Sequence, residues 1–149
     1  MLEWLFSEPL ATGSLAPDFT LLDDSGRQVS LSSLRGSNVL LVFYPRDQTS
    51  VCTQQLCQLR DNWDLLQLRG VQVFGVNPQS AESHAAFRRK QDLPFPLLVD
   101  QGQKVARLYH ANGLAPKRTV YLIGGDGRIA FAQRGMPSPD QVLAALTVR

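Results

Sequence analysis

The chain has 149 residues, 15 Lys plus Arg against 13 Asp plus Glu, two cysteines and a formal net charge of +2. A chain of this length buries roughly 70 % of its unfolded surface as one domain, so folding requires neither a disulfide staple nor a structural metal. The near-neutral charge supplies no large field for steering nucleic acid, and no apolar run approaches the ~18 residues of a membrane span, so neither nucleic acid nor a membrane is an expected partner.

One domain over residues 1–149 is the expectation. The start, Met1-Leu-Glu-Trp-Leu-Phe6, lacks a basic n-region and is too short for a signal peptide, which points to a cytoplasmic location. Its Leu2, Trp4, Leu5 and Phe6 form an apolar segment able to pack on the domain or on a second copy, so a monomer or weak homodimer is expected. Residues 18–22 and 28–31 flank the turn Asp23-Asp24-Ser25-Gly26 and read as a hairpin. Residues 38–44 (NVLLVFY) are continuously apolar and β-rich, as in a strand covered on both faces, and Pro45 ends it. From 52 to 68, Leu56, Leu59, Trp63 and Leu66 recur at helical steps, and Gly70 stops the helix.

Residues 71–77 form the next strand, and Ser80 caps a helix running to 91. A short strand at 97–99 and a short helix at 104–109 follow. Strands at 119–123 and 128–132 bracket Gly124-Gly-Asp-Gly127 as a second hairpin, and Ser138-Pro139 starts a last helix over 140–148. This alternation predicts an α/β fold with a mixed central sheet flanked by helices.

The segment from Pro45 to Cys57 joins a buried strand to a helix, where open α/β sheets place ligands. Cys52 falls in the first helical turn, whose unpaired N–H groups and positive dipole end favour a thiolate. Thr49 has a hydroxyl able to donate to that sulfur or to a bound oxygen species, and Pro45 shapes the loop without needing an N–H partner. Cys57 lies five residues on, which on an ideal helix separates the Cα atoms by roughly 8.7 Å. A disulfide needs about 7 Å or less, so the pair bonds only if the turn unwinds. The spacing also puts Cys52 on the apolar stripe of Leu56, Leu59 and Trp63, and Cys57 on the polar side with Arg60 and Asp64, facing out. A buried, inert Cys52 remains the alternative from position alone. A metal site is not expected, because two thiols need further ligands and His84 and His110 stand singly. His84 reads as a structural hydrogen-bonder, and Arg88-Arg-Lys90 as a solvated basic face.

The stretch Phe43-Tyr-Pro-Arg-Asp-Gln-Thr-Ser-Val-Cys52-Thr-Gln-Gln-Leu-Cys57 resembles the active-site segment of peroxiredoxins, with its P-x-x-x-T/S-x-x-C pattern. A second cysteine five residues on is similar to the bacterioferritin-comigratory-protein or PrxQ subfamily. Ala16-Pro-Asp-Phe19, Phe74-Gly-Val76, Ser83-His84, Leu93-Pro-Phe-Pro-Leu97 and Lys117-Arg118-Thr119 extend the resemblance along the chain. It implies a thioredoxin-like fold with an N-terminal hairpin extension, Cys52 as the peroxidatic and Cys57 as the resolving cysteine, and Thr49, Pro45 and Arg118 as further site residues. It also implies reduction of hydrogen peroxide and organic hydroperoxides without a cofactor, through a Cys52–Cys57 disulfide that thioredoxin or a similar dithiol reduces. Three positions depart from the pattern: Ser50-Val51 replaces the frequent Pro-Gly, and Gln55 stands where many relatives carry Glu. A thiol-disulfide exchanger or a redox sensor on the same fold is the alternative function.

Overall fold

The computed structural model describes residues 7–147. The apolar residues Leu2, Trp4, Leu5 and Phe6, and the last expected helical position, 148, lie outside the described residues. The chain forms β1 (Thr20–Asp23), β2 (Gln28–Ser30), β3 (Asn38–Phe43), α1 (Ser50–Asp61), α2 (Trp63–Leu68), β4 (Val71–Asn77) and α3 (Ala81–Gln91). β5 (Leu97–Val99), α4 (Lys104–Leu108), β6 (Thr119–Ile123), β7 (Ile129–Arg134) and α5 (Pro139–Thr147) follow, with short 3-10 turns before β3 and α4.

The strands make one sheet in the order β2-β1-β5-β4-β3-β6-β7. β3, β4 and β5 run parallel, joined by helical crossovers, while β6 lies antiparallel to β3 and β7 antiparallel to β6. The N-terminal hairpin extends the sheet through an antiparallel β1–β5 pair. Period-two alternation along β3 divides the core. Leu40 and Val42 pack with Leu56, Leu59, Leu66, Phe87 and Val142 of the helices on one face. Val39, Leu41 and Phe43 pack with Phe74, Val105 and Tyr109 on the other. This mixed sheet with helices on both sides is the fold expected from the alternation of strand and helix patterns.

Two local features differ from the sequence reading. The helix expected over 52–68 starts at Ser50 and breaks at Asn62 (φ −109°, ψ 20°), which separates α1 from α2. The Asn62 side chain donates to the Gln58 carbonyl at 2.8 Å, the local competition for backbone groups that makes asparagine a poor helix-interior residue. Arg88 is not a solvated charge. Its guanidinium donates to the Leu93 carbonyl at 3.1 Å and pairs with Asp24 at 3.3 Å, fastening α3 to the β1–β2 turn, where Asp24 also accepts from the Leu97 amide. At the other end of the chain, Ser138 and Gln141 exchange side-chain and backbone hydrogen bonds and cap α5 as its sequence predicts.

Gly75 in β4 sits where the active-site loop packs on the sheet. A Cβ there would lie 2.7 Å from the Leu97 side chain and 3.0 Å from the Tyr44 ring. Gly75→Ala is therefore expected to destabilise the protein by about 1–3 kcal/mol, the usual cost of overpacking a filled core, read as a lower denaturation midpoint at unchanged slope.

Candidate active site

The topology gathers four segments at one edge of the sheet. β3, β4 and β5 are parallel, so their carboxyl ends point the same way, while antiparallel β6 begins at that edge. The register pairs Phe43 with Thr119, placing Arg118 beside the loop that leaves β3. That loop, residues 44–49, turns through Gln48 (φ +62°) and enters α1 with Thr49 as its N-cap residue.

Cys52 is 1 % exposed and packs in the core with Leu56, Leu59 and Tyr44. The first intrahelical bonds of α1 begin with the Thr53 amide donating to the Thr49 carbonyl at 2.8 Å. The preceding amides have no intrahelical acceptor, and the first turn contains no acidic side chain. An anion at the sulfur thus meets the positive end of the helix with no carboxylate competing for it.

Arg118 completes this arrangement. Its Nη2 donates to Cys52 Sγ at 3.2 Å and its Nη1 to Gln55 Oε1 at 2.7 Å. Gln55 is buried, and its Nε2 donates to the Gly135 carbonyl at 3.3 Å, which aims the amide oxygen at Arg118. Gly135 in turn donates its amide to the Arg118 carbonyl at 2.8 Å, so the end of the β6–β7 hairpin closes the loop of contacts. A neutral glutamine therefore orients the guanidinium by geometry alone and leaves its charge for the sulfur. A forked, permanently cationic donor suits a reaction in which charge moves from sulfur to oxygen.

The other expected site residues lie around this pair. Pro45, half-buried, follows Tyr44, the buried first residue of the loop after β3. Thr49 is exposed at the helix start, and its hydroxyl donates to the Arg46 carbonyl at 3.1 Å rather than to the sulfur. A contact between Thr49 and a bound oxygen therefore needs that hydroxyl to rotate. Both cysteines are free thiols, and both lie within continuous helix. Cys57 does not face out among the charged residues as its helical position suggests. It is half-buried against the core, and its thiol lies 3.6 Å from Gln91 Oε1 of α3, whose backbone carbonyl accepts from Arg60 at 2.6 Å. The packing of α3 across α1, which the periodicity of a single helix does not contain, accounts for the difference.

His84 is fully buried and is the structural hydrogen-bonder its surroundings in sequence suggest. Its partner, Asp47, escaped the sequence reading. Asp47 Oδ2 lies 2.6 Å from His84 Nδ1 and accepts from Ser83 at 2.7 Å, while Oδ1 accepts from Tyr44 at 2.6 Å and Asn77 at 3.2 Å. Burial pushes the Asp47 carboxyl up, but the bonds from His84 and Tyr44, the charge of His84 and the bond from Ser83 outweigh it and hold the group below its ordinary value. Burial, then the charge of Asp47, pushes the Tyr44 phenol well up, so it remains a donor. Asp47 is separated from Ser83 and His84 by more than thirty residues, and no local spacing signals the pairing.

Comparison with known proteins agrees with this geometry. The family model described as AhpC/TSA family matches residues 12–132. The chain is 37 % identical over 136 residues to a chloroplastic peroxiredoxin Q of Oryza sativa subsp. japonica, covering 89 % of this chain and 63 % of that protein's length. It is 38 % identical over 133 residues to a chloroplastic peroxiredoxin Q of Sedum lineare, covering 87 % of this chain and 72 % of that one. Among solved structures, it superimposes on the peroxidoxin BcpB of Mycobacterium tuberculosis with a TM-score of 0.86 at 29 % identity, covering 93 % of this chain and 97 % of that one. Matching sequence, the same fold and a cysteine at a helix start beneath an arginine converge on one conclusion: the chain belongs to the AhpC/TSA family, among its peroxiredoxin Q and bacterioferritin-comigratory members.

Proposed function

We propose that this protein is a thiol-dependent peroxidase that reduces hydrogen peroxide and organic hydroperoxides, with Cys52 as the reacting thiolate. The observation that carries the reading is the Arg118 Nη2 to Cys52 Sγ contact of 3.2 Å, made to a buried cysteine in the first turn of α1. In the first step the Cys52 thiolate attacks the terminal oxygen of ROOH. The O–O bond breaks, the leaving oxygen takes a proton and departs as ROH, and the sulfur, oxidised by two electrons, becomes a sulfenic acid. Arg118 and the first-turn amides of α1 face the charge as it moves from sulfur to oxygen.

In the second step the start of α1 unwinds and the Cys57 sulfur attacks Cys52. The S–S bond forms, the S–O bond breaks and water leaves. An external dithiol, thioredoxin or a similar protein, then reduces the disulfide by exchange and is itself oxidised. The cycle requires a compartment that supplies such a reductant.

Turnover tests the reading. With peroxide in large excess and a thioredoxin system present, the protein is expected to consume many equivalents of peroxide, followed through loss of the electron donor. Consumption that stops at one equivalent per chain would contradict catalysis and indicate a redox sensor. Exchange with protein disulfides but no reaction with peroxide would indicate a thiol-disulfide exchanger.

A further inference from the structure

The Asp47–His84 contact uses hydrogen-bonding capacity completely. Both carboxylate oxygens of Asp47 accept two side-chain donors each, and its backbone amide donates to Gln79 Oε1 at 2.5 Å. His84 Nε2 lies 2.9 Å from the Leu98 carbonyl. The two ring nitrogens thus face a carbonyl and a saturated carboxylate. The two side chains are 0 % and 1 % exposed. This fully buried contact ties the loop after β3 to the end of β4 through Asn77, to α3 through Ser83 and His84, and to β5 through Leu98. One residue further, Gln48 holds a left-handed backbone conformation that a non-glycine side chain seldom adopts, and regular helix begins two residues after that.

We propose that the Asp47–His84 pair is the fixed post of the redox cycle. The loop stays clamped through Asp47 while the chain beyond Gln48 unwinds and rewinds. The pair thereby sets the balance between the wound site, in which Cys52 meets peroxide under Arg118, and the unwound one, in which Cys57 reaches Cys52. This inference rests on the peroxidase reading for its kinetics but not for its geometry. Asp47 and His84 are positioning residues, since neither touches Cys52 in the hydrogen-bond network.

The clamp predicts a split that a purely structural role does not produce. Loosening it releases chain entropy mainly in the unwound form, where α1 no longer holds the other end of the loop, and so moves population from the wound site to the unwound one. Asp47→Asn is expected to speed the peroxide-independent disulfide step by about tenfold and to slow the peroxide-dependent oxidation of Cys52 by a smaller factor, resolved as two phases by stopped-flow fluorescence. Ser83→Ala, which removes one of the four bonds, is expected to shift both rates in the same senses by less and keeps the test open where Asp47→Asn fails to fold. Two rates that fall together, or that stay unchanged, overturn the proposal.

A second arm uses the unaltered protein. Amide exchange is compared between the reduced form and the disulfide form made with diamide, so this arm stands even where peroxide itself does not react. The Asp47 amide is expected to stay protected while amides from 50 to 56 lose protection. Loss of protection at Asp47 together with the helix overturns the clamp. A wild type that forms the disulfide with diamide but not with peroxide overturns the peroxidase reading and leaves the clamp intact.

Discussion

Cys52→Ser is expected to reduce peroxide consumption to the uncatalysed background. A serine hydroxyl at this helix start lacks both the acidity and the polarisable sulfur that make the thiolate a nucleophile at neutral pH. The substitution is nearly isosteric, so the core around Leu56, Leu59 and Tyr44 keeps its packing and the loss of rate reports chemistry rather than folding. Cys57→Ser separates the two steps. Cys52 is expected to form sulfenic acid at the wild-type rate, because Cys57 packs against Gln91 and belongs to neither the Arg118 nor the Gln55 contacts. Turnover then stops, and excess peroxide drives the unresolved intermediate on to sulfinic acid, an irreversible product readable by mass. Equal peroxide consumption by Cys52→Ser and wild type would remove the basis for the assigned nucleophile.

Arg118 carries the second large effect. Its guanidinium donates to the sulfur and to Gln55 at once, and removing one preorganised donor from a site where charge develops typically costs about 10²–10³ in rate. Arg118→Met is expected to lower the second-order rate constant for peroxide by about that factor while the denaturation midpoint shifts little, since the residue is half-buried. Arg118→Lys is expected to recover only part of the rate. A lysine offers one point charge and cannot reach Cys52 Sγ and Gln55 Oε1 together with the forked geometry seen here. A lysine variant with full activity would show that charge alone suffices and that the Gln55 contact is dispensable.

Elements set by short-range chemistry were legible in the sequence. The apolar run of β3, the Ser80 cap of α3, the turns at Gly26 and Gly127 and the start of α5 all appear where residue type and spacing put them. Cys52 at a strand-to-helix junction was legible for the same reason, because helix geometry alone places it in the first turn. Arg118 was not readable from spacing and entered only through family resemblance, since its approach to Cys52 depends on the β3–β6 register across more than sixty residues. The orientation of Cys57 was misread because a helical wheel shows which residues share a side and not what packs there. Asp47 was missed entirely. A lone acidic residue in a loop ordinarily reads as solvated, and its burial is sustained by Tyr44 of the same loop, Asn77 at the end of β4, and Ser83 and His84 of α3.

In the proposed cycle, two thiols held in one helix, one under Arg118 and one beneath α3, become a single bond when peroxide arrives. The most direct measurement treats the fully reduced protein with one equivalent of hydrogen peroxide and maps the product by intact mass, peptide mass and non-reducing electrophoresis. The expected product is a monomeric chain lighter by two hydrogens, with Cys52 joined to Cys57, no free thiol, and amide protection lost along the first turns of α1. Peroxide consumed while both thiols remain titratable, or Cys52 joined to a second copy of the chain instead of to Cys57, would contradict it.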